Sequence, residues 1–325
     1  MEKSINKKLG NKIAKNFNKK YGIITYSGTL ALEIALESLN LSQNSKVLVS
    51  DNVCYSIINT ILKLKLIPVI KTPENGLYFT DRDIDITLAT QNISCILLVH
   101  QFGLLNEFNF QKYKQLKIKI IEDVAQAWNI KNNDGVSNIG LYSDIVITSF
   151  GRTKPMSYGI GGGLFFNNAN IFKLVDYCDN ESREKSGILL SYLYPMCNNI
   201  NHKNLIAIAN QNVNQQRSNA NMYIDILSGQ SKIKFLKNKG NVWHRFPIWV
   251  DNEELYNKIK TFFEDNSFEY QLEHDIKLVD LPICKKCIKI NGKNLPYLFL
   301  IRTRNVNIEN QLEILKKLEN ELKNI

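Results

Sequence analysis

Residues 149–163 read Ser149-Phe150-Gly151-Arg152-Thr153-Lys154-Pro155-Met156-Ser157-Tyr158-Gly159-Ile160-Gly161-Gly162-Gly163. An apolar strand, Asp144 to Ser149 (DIVITS), runs into this stretch, and a second, Gly163 to Phe166 (GLFF), leaves it. Between the strands stands a single lysine, followed by glycines that let the backbone pass close to a bulky neighbour. A lysine delivered from a strand end into a confined site can shed its proton and act as a nucleophile. Lys154 is therefore the first candidate catalytic residue.

Working outward, Tyr21 to Tyr26 (YGIITY) reads as a strand ending in Ser27-Gly28-Thr29, and the helical period of Leu30 to Leu39 begins at once. Strand, glycine turn and helix N-terminus make a ready anion site, because the first N–H groups of a helix have no partner within it. Ser27 or Thr29 acting as a plain helix cap explains the same residues equally well. Further strands follow at Lys46 to Ser50, Leu66 to Lys71, Cys95 to His100, Lys117 to Glu122 and Asp144 to Ser149. Helices are read at Tyr55 to Leu66 and Phe108 to Leu116. Apolar strands alternating with helices predict an α/β fold, with a parallel sheet covered on both faces. Ligands in such sheets bind beyond the carboxyl ends of the strands. Gly28, Asp123, Ser149 and Lys154 all fall just past strand ends and so can converge.

From about residue 167 to 203 the sequence is Asn-rich with little periodicity. A long helix over about 205–227 then leads to a smaller α+β unit. That unit has strands at Val242 to Val250 and Tyr297 to Thr303, and helices at Glu253 to Glu264 and Ile308 to Lys323. The expected organisation is a large domain, 1–204, followed by a linking helix and small C-terminal domain, 205–325.

The 325 residues suffice for two such domains. Hydrophobic content of 44% and charged content of 22% are ordinary for a globular chain. No apolar run approaches the ~20 residues that cross a bilayer. Near the N-terminus Ile5, Leu9, Ile13 and Phe17 recur at four-residue spacing among lysines, which predicts a helix with one apolar stripe. Glu2 and the lack of arginine and clustered serine argue against a targeting peptide, so a cytoplasmic location is expected. The net charge of +10 is scattered rather than clustered with aromatics, which argues against nucleic acid and leaves a basic surface suited to anionic substrates. The six cysteines, Cys54, Cys95, Cys178, Cys197, Cys284 and Cys287, are dispersed and need no disulfide framework. Cys284 and Cys287 have C-x-x-C spacing without the second pair that structural zinc requires. His202, His244 and His274 show no ligand spacing either, so no metal is expected. The aromatics from Trp243 to Trp249 alternate as core positions of the small domain.

Ile120-Ile121-Glu122-Asp123-Val124-Ala125-Gln126-Ala127 places an acid at a strand end, followed by small residues. An aspartate in an apolar site is costly unless a cation pairs with it. A helix N-cap is the alternative reading. Four motifs then occur in order: Gly28-Thr29 before a helix, His100-x-Phe102-Gly103, Glu122-Asp123-x-Ala125-Gln126-Ala127, and Ser149-Phe150-x3-Lys154-x4-Gly159-x-Gly161-Gly162. Together they resemble the DegT/DnrJ/EryC1/StrS family of pyridoxal-phosphate sugar aminotransferases, of aspartate-aminotransferase fold type I. The resemblance is good over Ile13 to Phe166 and looser beyond, where Gln216-Arg217 and the strand Trp243 to Val250 also match.

The resemblance implies a mostly parallel seven-stranded sheet between helices, with a small α+β C-terminal domain. It implies pyridoxal 5'-phosphate as cofactor, an amino-acid donor (glutamate), a nucleotide-linked keto-sugar acceptor and ping-pong transfer in a homodimer with a shared active site. Lys154 would form the internal aldimine and shuttle protons, and Asp123 would pair with the protonated ring nitrogen. Gln126 would lie against the ring, while Gly28, Thr29 and the Ser149 hydroxyl would hold the phosphate. The aromatic that stacks on the ring in this family falls at Cys54 or Tyr55, and only Tyr55 offers a π face.

The chain departs from the family pattern in places. Ile160 replaces the usual glutamate, the segment before the first helix is short, and the Asn-Tyr-Arg motif has only Asn201-His202-Lys203 near it. Dehydratases of the family carry histidine where Lys154 stands, so Lys154 favours transamination over a dehydratase-like role, while the short N-terminal segment and Ile160 leave a catalytically silent role as an alternative. A dinucleotide-binding reading of Gly159-x-Gly161-Gly162-Gly163 fails because these glycines run into a strand rather than open a helix. His100 reads either as a site residue or as a buried structural histidine. Arg152 reads either as a substrate contact or as half of a surface ion pair.

Overall fold

The computed structural model describes residues 2–106, 109–132, 134–172, 202–238, 240–272, 280–292 and 297–323. Cys178, Cys197, Asn201 and His274 lie outside them. The N-terminal stripe forms α1 (Glu2–Ala14), with Leu9, Ile13 and Phe17 buried. The helix stops short of the lysine-rich stretch's end through a 3-10 turn and Asn18, whose left-handed φ of 53° suits an asparagine. Phe17 packs edge-on to Trp128 at 5.4 Å between centroids.

The chain then alternates through β1 (Tyr21–Thr25), α2 (Gly28–Ser38), β2 (Lys46–Ser50), α3 (Tyr55–Lys63) and β3 (Ile67–Lys71). It continues with α4 (Asp81–Thr90), β4 (Ile93–Val99), α5 (Phe110–Gln115), β5 (Lys119–Asp123), β6 (Ile145–Ser149) and β7 (Gly162–Phe166). Helix α6 (His202–Leu227) leads to β8 (Lys234–Phe235), β9 (Arg245–Trp249), α7 (Glu253–Asp265) and β10 (Tyr270–Leu272). The last elements are β11 (Ile288–Ile290), β12 (Leu298–Arg302) and α8 (Ile308–Lys323).

The large sheet has eight strands in the order β1-β7-β6-β5-β4-β2-β3-β11. All neighbours run parallel except β7, which is antiparallel to both β1 and β6. The seven strands expected from the sequence are joined by β11, which pairs with β3. The large sheet is thus built from both sides of the boundary at 204. Alternate residues of each strand serve opposite faces. Val47, Val49, Leu97 and Ile121 meet α2 and α3 through Leu32, Ile58 and Ile61. Leu48, Ile96, Leu98 and Ile120 meet Ile84 of α4 and Tyr113 of α5.

The second sheet is antiparallel, in the order β10-β12-β9-β8. Phe246, Ile248, Phe299 and Ile301 from this sheet pack with Phe263 of α7 and with Leu315 and Leu318 of α8, and the expected aromatic core is here. Phe102 and Leu104, from the loop after β4, enter the same cluster and fix the small sheet beside the strand ends of the large one. No helix among the described residues is long and apolar enough to cross a membrane.

Candidate active site

Parallel pairing sets the carboxyl ends of three strands side by side. Val99 of β4 pairs with Asp123, Asp123 pairs with Ile147, and Ser149 ends β6 two residues later. The chain then closes a loop that presents Lys154. The Lys154 N–H donates to Gly151 O at 3.0 Å, while the Tyr158 and Gly159 N–H groups both donate to Phe150 O at 2.9 Å. The Phe150 N–H donates in turn to Gly161 O at 2.9 Å. A Cβ at Gly162 would stand 2.5 Å from the Ser27 carbonyl carbon and 2.6 Å from Gly28 N, so only glycine lets the returning strand lie against the start of α2. Ile160 is half-buried and packs with the cluster that holds Phe150 and Met156.

Ser27 caps α2, its Oγ accepting from the Leu30 N–H at 3.1 Å. The capping role therefore falls to Ser27, and Gly28 and Thr29 are the first two residues of α2. Gly28 lies against Ser149, where an added Cβ would come 3.0 Å from Ser149 Cβ; Thr29 is exposed. The Ser149 hydroxyl accepts a long 3.3 Å bond from the Gly151 N–H.

Asp123 is half-buried and its Oδ1 accepts from the Ala125 N–H at 2.9 Å. Burial pushes its carboxyl above the usual range, against the pull of the Ala125 bond, Lys154 and His100. Burial likewise pushes the Lys154 amine below its usual range. Asp123 and Cys54 oppose that shift, and Arg245 reinforces it. Both members of the pair lean toward their neutral forms because desolvation outweighs their attraction.

His100 is fully buried and bears on the charge of Asp123. Its Nδ1 accepts from the Asn106 N–H at 3.2 Å, which places the ring proton on Nε2, 3.4 Å from Glu122 Oε1. Glu122 Oε2 also accepts from the Gly140 N–H at 2.7 Å. Gln126 is fixed by two bonds, one from the Phe102 N–H to Oε1 at 2.8 Å and one from Nε2 to Gln101 Oε1 at 3.0 Å. Tyr55, at the start of α3, is 62% exposed, while the adjacent Cys54 is close enough to act on the charge of Lys154. Arg152 is exposed, and its carbonyl accepts from Arg304 at 3.1 Å. Cys284 and Cys287 contact each other, with burial pushing the Cys287 thiol up to about 12. Among the described residues no group of His, Cys, Asp or Glu has a metal-binding arrangement.

The small sheet contributes groups that the sequence reading missed. His244 is buried, its Nδ1 3.4 Å from Gln216 Nε2, and Gln216 Oε1 has no hydrogen-bond partner. Lys154, Arg245 and Arg304, with burial as the larger cause, hold the His244 imidazole well below its usual range. The available signal was two polar residues, His244 and Arg245, inside an otherwise aromatic and aliphatic stretch.

These residues fit pyridoxal 5'-phosphate. A half-buried carboxylate with one N–H partner matches a protonated ring nitrogen, and a helix start with a serine hydroxyl matches a phosphate. A lysine of lowered proton affinity matches an aldehyde. Fold and site together define a fold type I pyridoxal-phosphate protein. The chain belongs to the DegT/DnrJ/EryC1/StrS aminotransferase family, whose profile matches residues 3–286.

Among curated relatives, the chain is 26% identical over 283 residues to 3-oxo-glucose-6-phosphate:glutamate aminotransferase of Bacillus subtilis (strain 168), covering 76% of this chain and 58% of that protein. It is 26% identical over 170 residues to GDP-perosamine synthase of Escherichia coli O157:H7, covering 51% of this chain and 45% of that protein. The chain thus spans about half the length of the curated relatives it matches. Its fold matches NtdA from Bacillus subtilis with bound cofactor PMP, at a TM-score of 0.74 and 19% identity, covering 98% of this chain and 77% of that one. It equally matches E. coli GDP-4-keto-6-deoxy-D-mannose-3-dehydratase with bound hydrated PLP, at a TM-score of 0.75 and 13% identity, covering 96% and 90%.

Proposed function

We propose that this chain is a pyridoxal-phosphate aminotransferase that moves an amino group from an amino acid, glutamate, to a nucleotide-linked keto-sugar, and that it works as a homodimer with shared sites. The observation that supports it most is the pair Asp123, at the end of β5, and Lys154, on the loop that follows the neighbouring β6, each bearing on the other's charge and both shifted toward neutrality by burial. The bound cofactor supplies an electron sink for the carbanion that forms at the amino carbon.

The rest is the work of this chain's residues. The N–H groups at Gly28 and Thr29 and the Ser149 hydroxyl bind the phosphate at the α2 N-terminus. Asp123 would pair with the cofactor's ring nitrogen, where its ionised form would hold that nitrogen protonated and offset the desolvation cost the carboxylate bears alone. Lys154 Nζ, already inclined to be neutral, would take the proton from the substrate's amino carbon and deliver it to the cofactor carbon across the transferred nitrogen, and would carry a proton the opposite way in the second half-reaction. Gln126, immobilised through Gln101 and Phe102, lies against the ring and orients it. Tyr55, at the start of α3, is the aromatic nearest in sequence to Cys54 and would have to turn inward from its exposed position to stack on the ring.

The reading is tested on purified protein. Loading with pyridoxal phosphate is expected to give a visible absorbance that borohydride removes, absent in Lys154→Ala. Glutamate is expected to convert the bound cofactor to pyridoxamine phosphate, with the rate lost by about 10²–10⁴-fold or more in the variant. Protein that takes up the cofactor yet gives no pyridoxamine phosphate with any amino acid would support the dehydratase-like or silent reading instead.

A further inference from the structure

Arg245 bears on Lys154 and Arg304 reaches the loop that presents it, and among the described residues neither has a carboxylate partner. Arg245 opens β9 directly opposite Arg302 of β12. Its Nη1 donates to His244 O at 2.8 Å and its Nε to Gln271 Oε1 at 3.4 Å. Arg304, two residues past β12 and 9% exposed, donates from Nη2 to Arg152 O at 3.1 Å, on the loop that presents Lys154. Arg302 has Glu269 at 3.2 Å, whereas neither Arg245 nor Arg304 forms an ion pair among the described residues.

The electrostatics agree with this crowding. Burial, then Arg302 and Arg304, push Arg245 down to about 10. Arg245 and Arg304 both bear on His244, and Arg245 on Lys154. Like charges gathered in a half-buried place are costly without a counter-ion. A guanidinium is the side chain whose planar fork matches an oxyanion in two bonds. In the proposed function α2 and Ser149 hold the cofactor phosphate, which leaves these arginines for another anion.

We propose that Arg245 and Arg304 form an oxyanion subsite on the small-sheet side of Lys154, which reads a phosphate or carboxylate carried by the acceptor sugar itself. The inference rests on the aminotransferase reading and narrows it, because the charge recognised belongs to the sugar ring, apart from any nucleotide.

The test uses holoprotein, whose cofactor phosphate is already in place, titrated calorimetrically with inorganic phosphate, glucose 6-phosphate and glucuronate. Phosphate and glucose 6-phosphate are expected to compete for one site per chain, and displacement by glucuronate would extend the subsite to carboxylates. Arg245→Gln and Arg304→Gln are each expected to raise the phosphate Kd by about tenfold or more. Arg302→Gln, which removes the same charge from the Glu269 pair, is expected to raise it by less than about threefold.

Absence of phosphate binding, two independent sites, or equal weakening in all three variants would overturn the proposal. The wild-type competition decides even if a variant fails to fold. An equal shift in the glutamate concentration that half-converts the cofactor would assign the arginines to the donor carboxylate and overturn the acceptor assignment. Failure of every amino acid to convert the cofactor would refute the aminotransferase reading alone, while the phosphate titrations still decide the subsite.

Discussion

Burial sets the proton affinities of Asp123, Lys154 and Lys19, and each shift has a definite sign in a stability measurement. The Asp123 carboxyl is raised above its ordinary 3.8, so its ionised form penalises the cofactor-free fold at neutral pH. That penalty fades as the pH falls toward the ordinary range, where both states are protonated. Asp123→Asn is therefore expected to stabilise cofactor-free protein at about pH 8, with the gain shrinking toward about pH 4. Transamination in the same variant is expected to fall by about 10²–10³-fold. Thermal unfolding checks the first claim, and a variant less stable than wild type at pH 8 contradicts it. Lys19 is buried against Ser143 O and lowered from 10.5 to about 8, burial exceeding the pull of Glu122 and Asp144. Between those two values the unfolded chain holds the proton that the folded chain has released, so stability rises with pH there and is flat below. Urea unfolding of wild type against Lys19→Met is expected to show a difference constant up to about pH 8. Above that it moves toward wild type by at most about 1.4 kcal/mol per pH unit.

At the level of elements, the contact of β7 with the start of α2 builds the phosphate end of the site. Gly162→Ala drives a Cβ into Ser27 and Gly28, backbone that cannot retreat without moving α2. The expected cost is roughly 1–3 kcal/mol in the urea midpoint, together with weaker uptake of pyridoxal phosphate. This region was legible in the sequence because its chemistry is local: strand, lysine, glycines and strand follow one another within a few residues. Helix α4 was not, because its buried face includes Asp83 and Thr87 beside Ile84, which hides the apolar period. Strand β11, three residues with Lys289 at its centre, forms by pairing with β3 and has too little pattern of its own. The strand expected from Val242 begins only at Arg245, since Trp243 takes a φ of 60° and the Val242 N–H is drawn to Gly103 O. The approach of Arg245 and Arg304 to Lys154 joins residues far apart in the chain, and no spacing rule reports such a meeting.

Across the whole molecule, the proposed homodimer predicts a sedimentation mass of twice the chain at working concentrations, and a stable monomer with full activity would contradict shared sites. The path between the sheets has a further result. After β10 the chain leaves the small sheet, lays β11 along β3, and returns to the small sheet as β12. During synthesis, β3 therefore waits as an open edge long after β1 to β7 have been made. Its covering strand reaches it only when translation is almost complete. An uncovered edge is a template for another chain's strand. Crowded polysomes making this protein thus hold many unfinished copies able to join edge to edge, and the yield of native protein depends on how quickly a ribosome runs from residue 71 to residue 290.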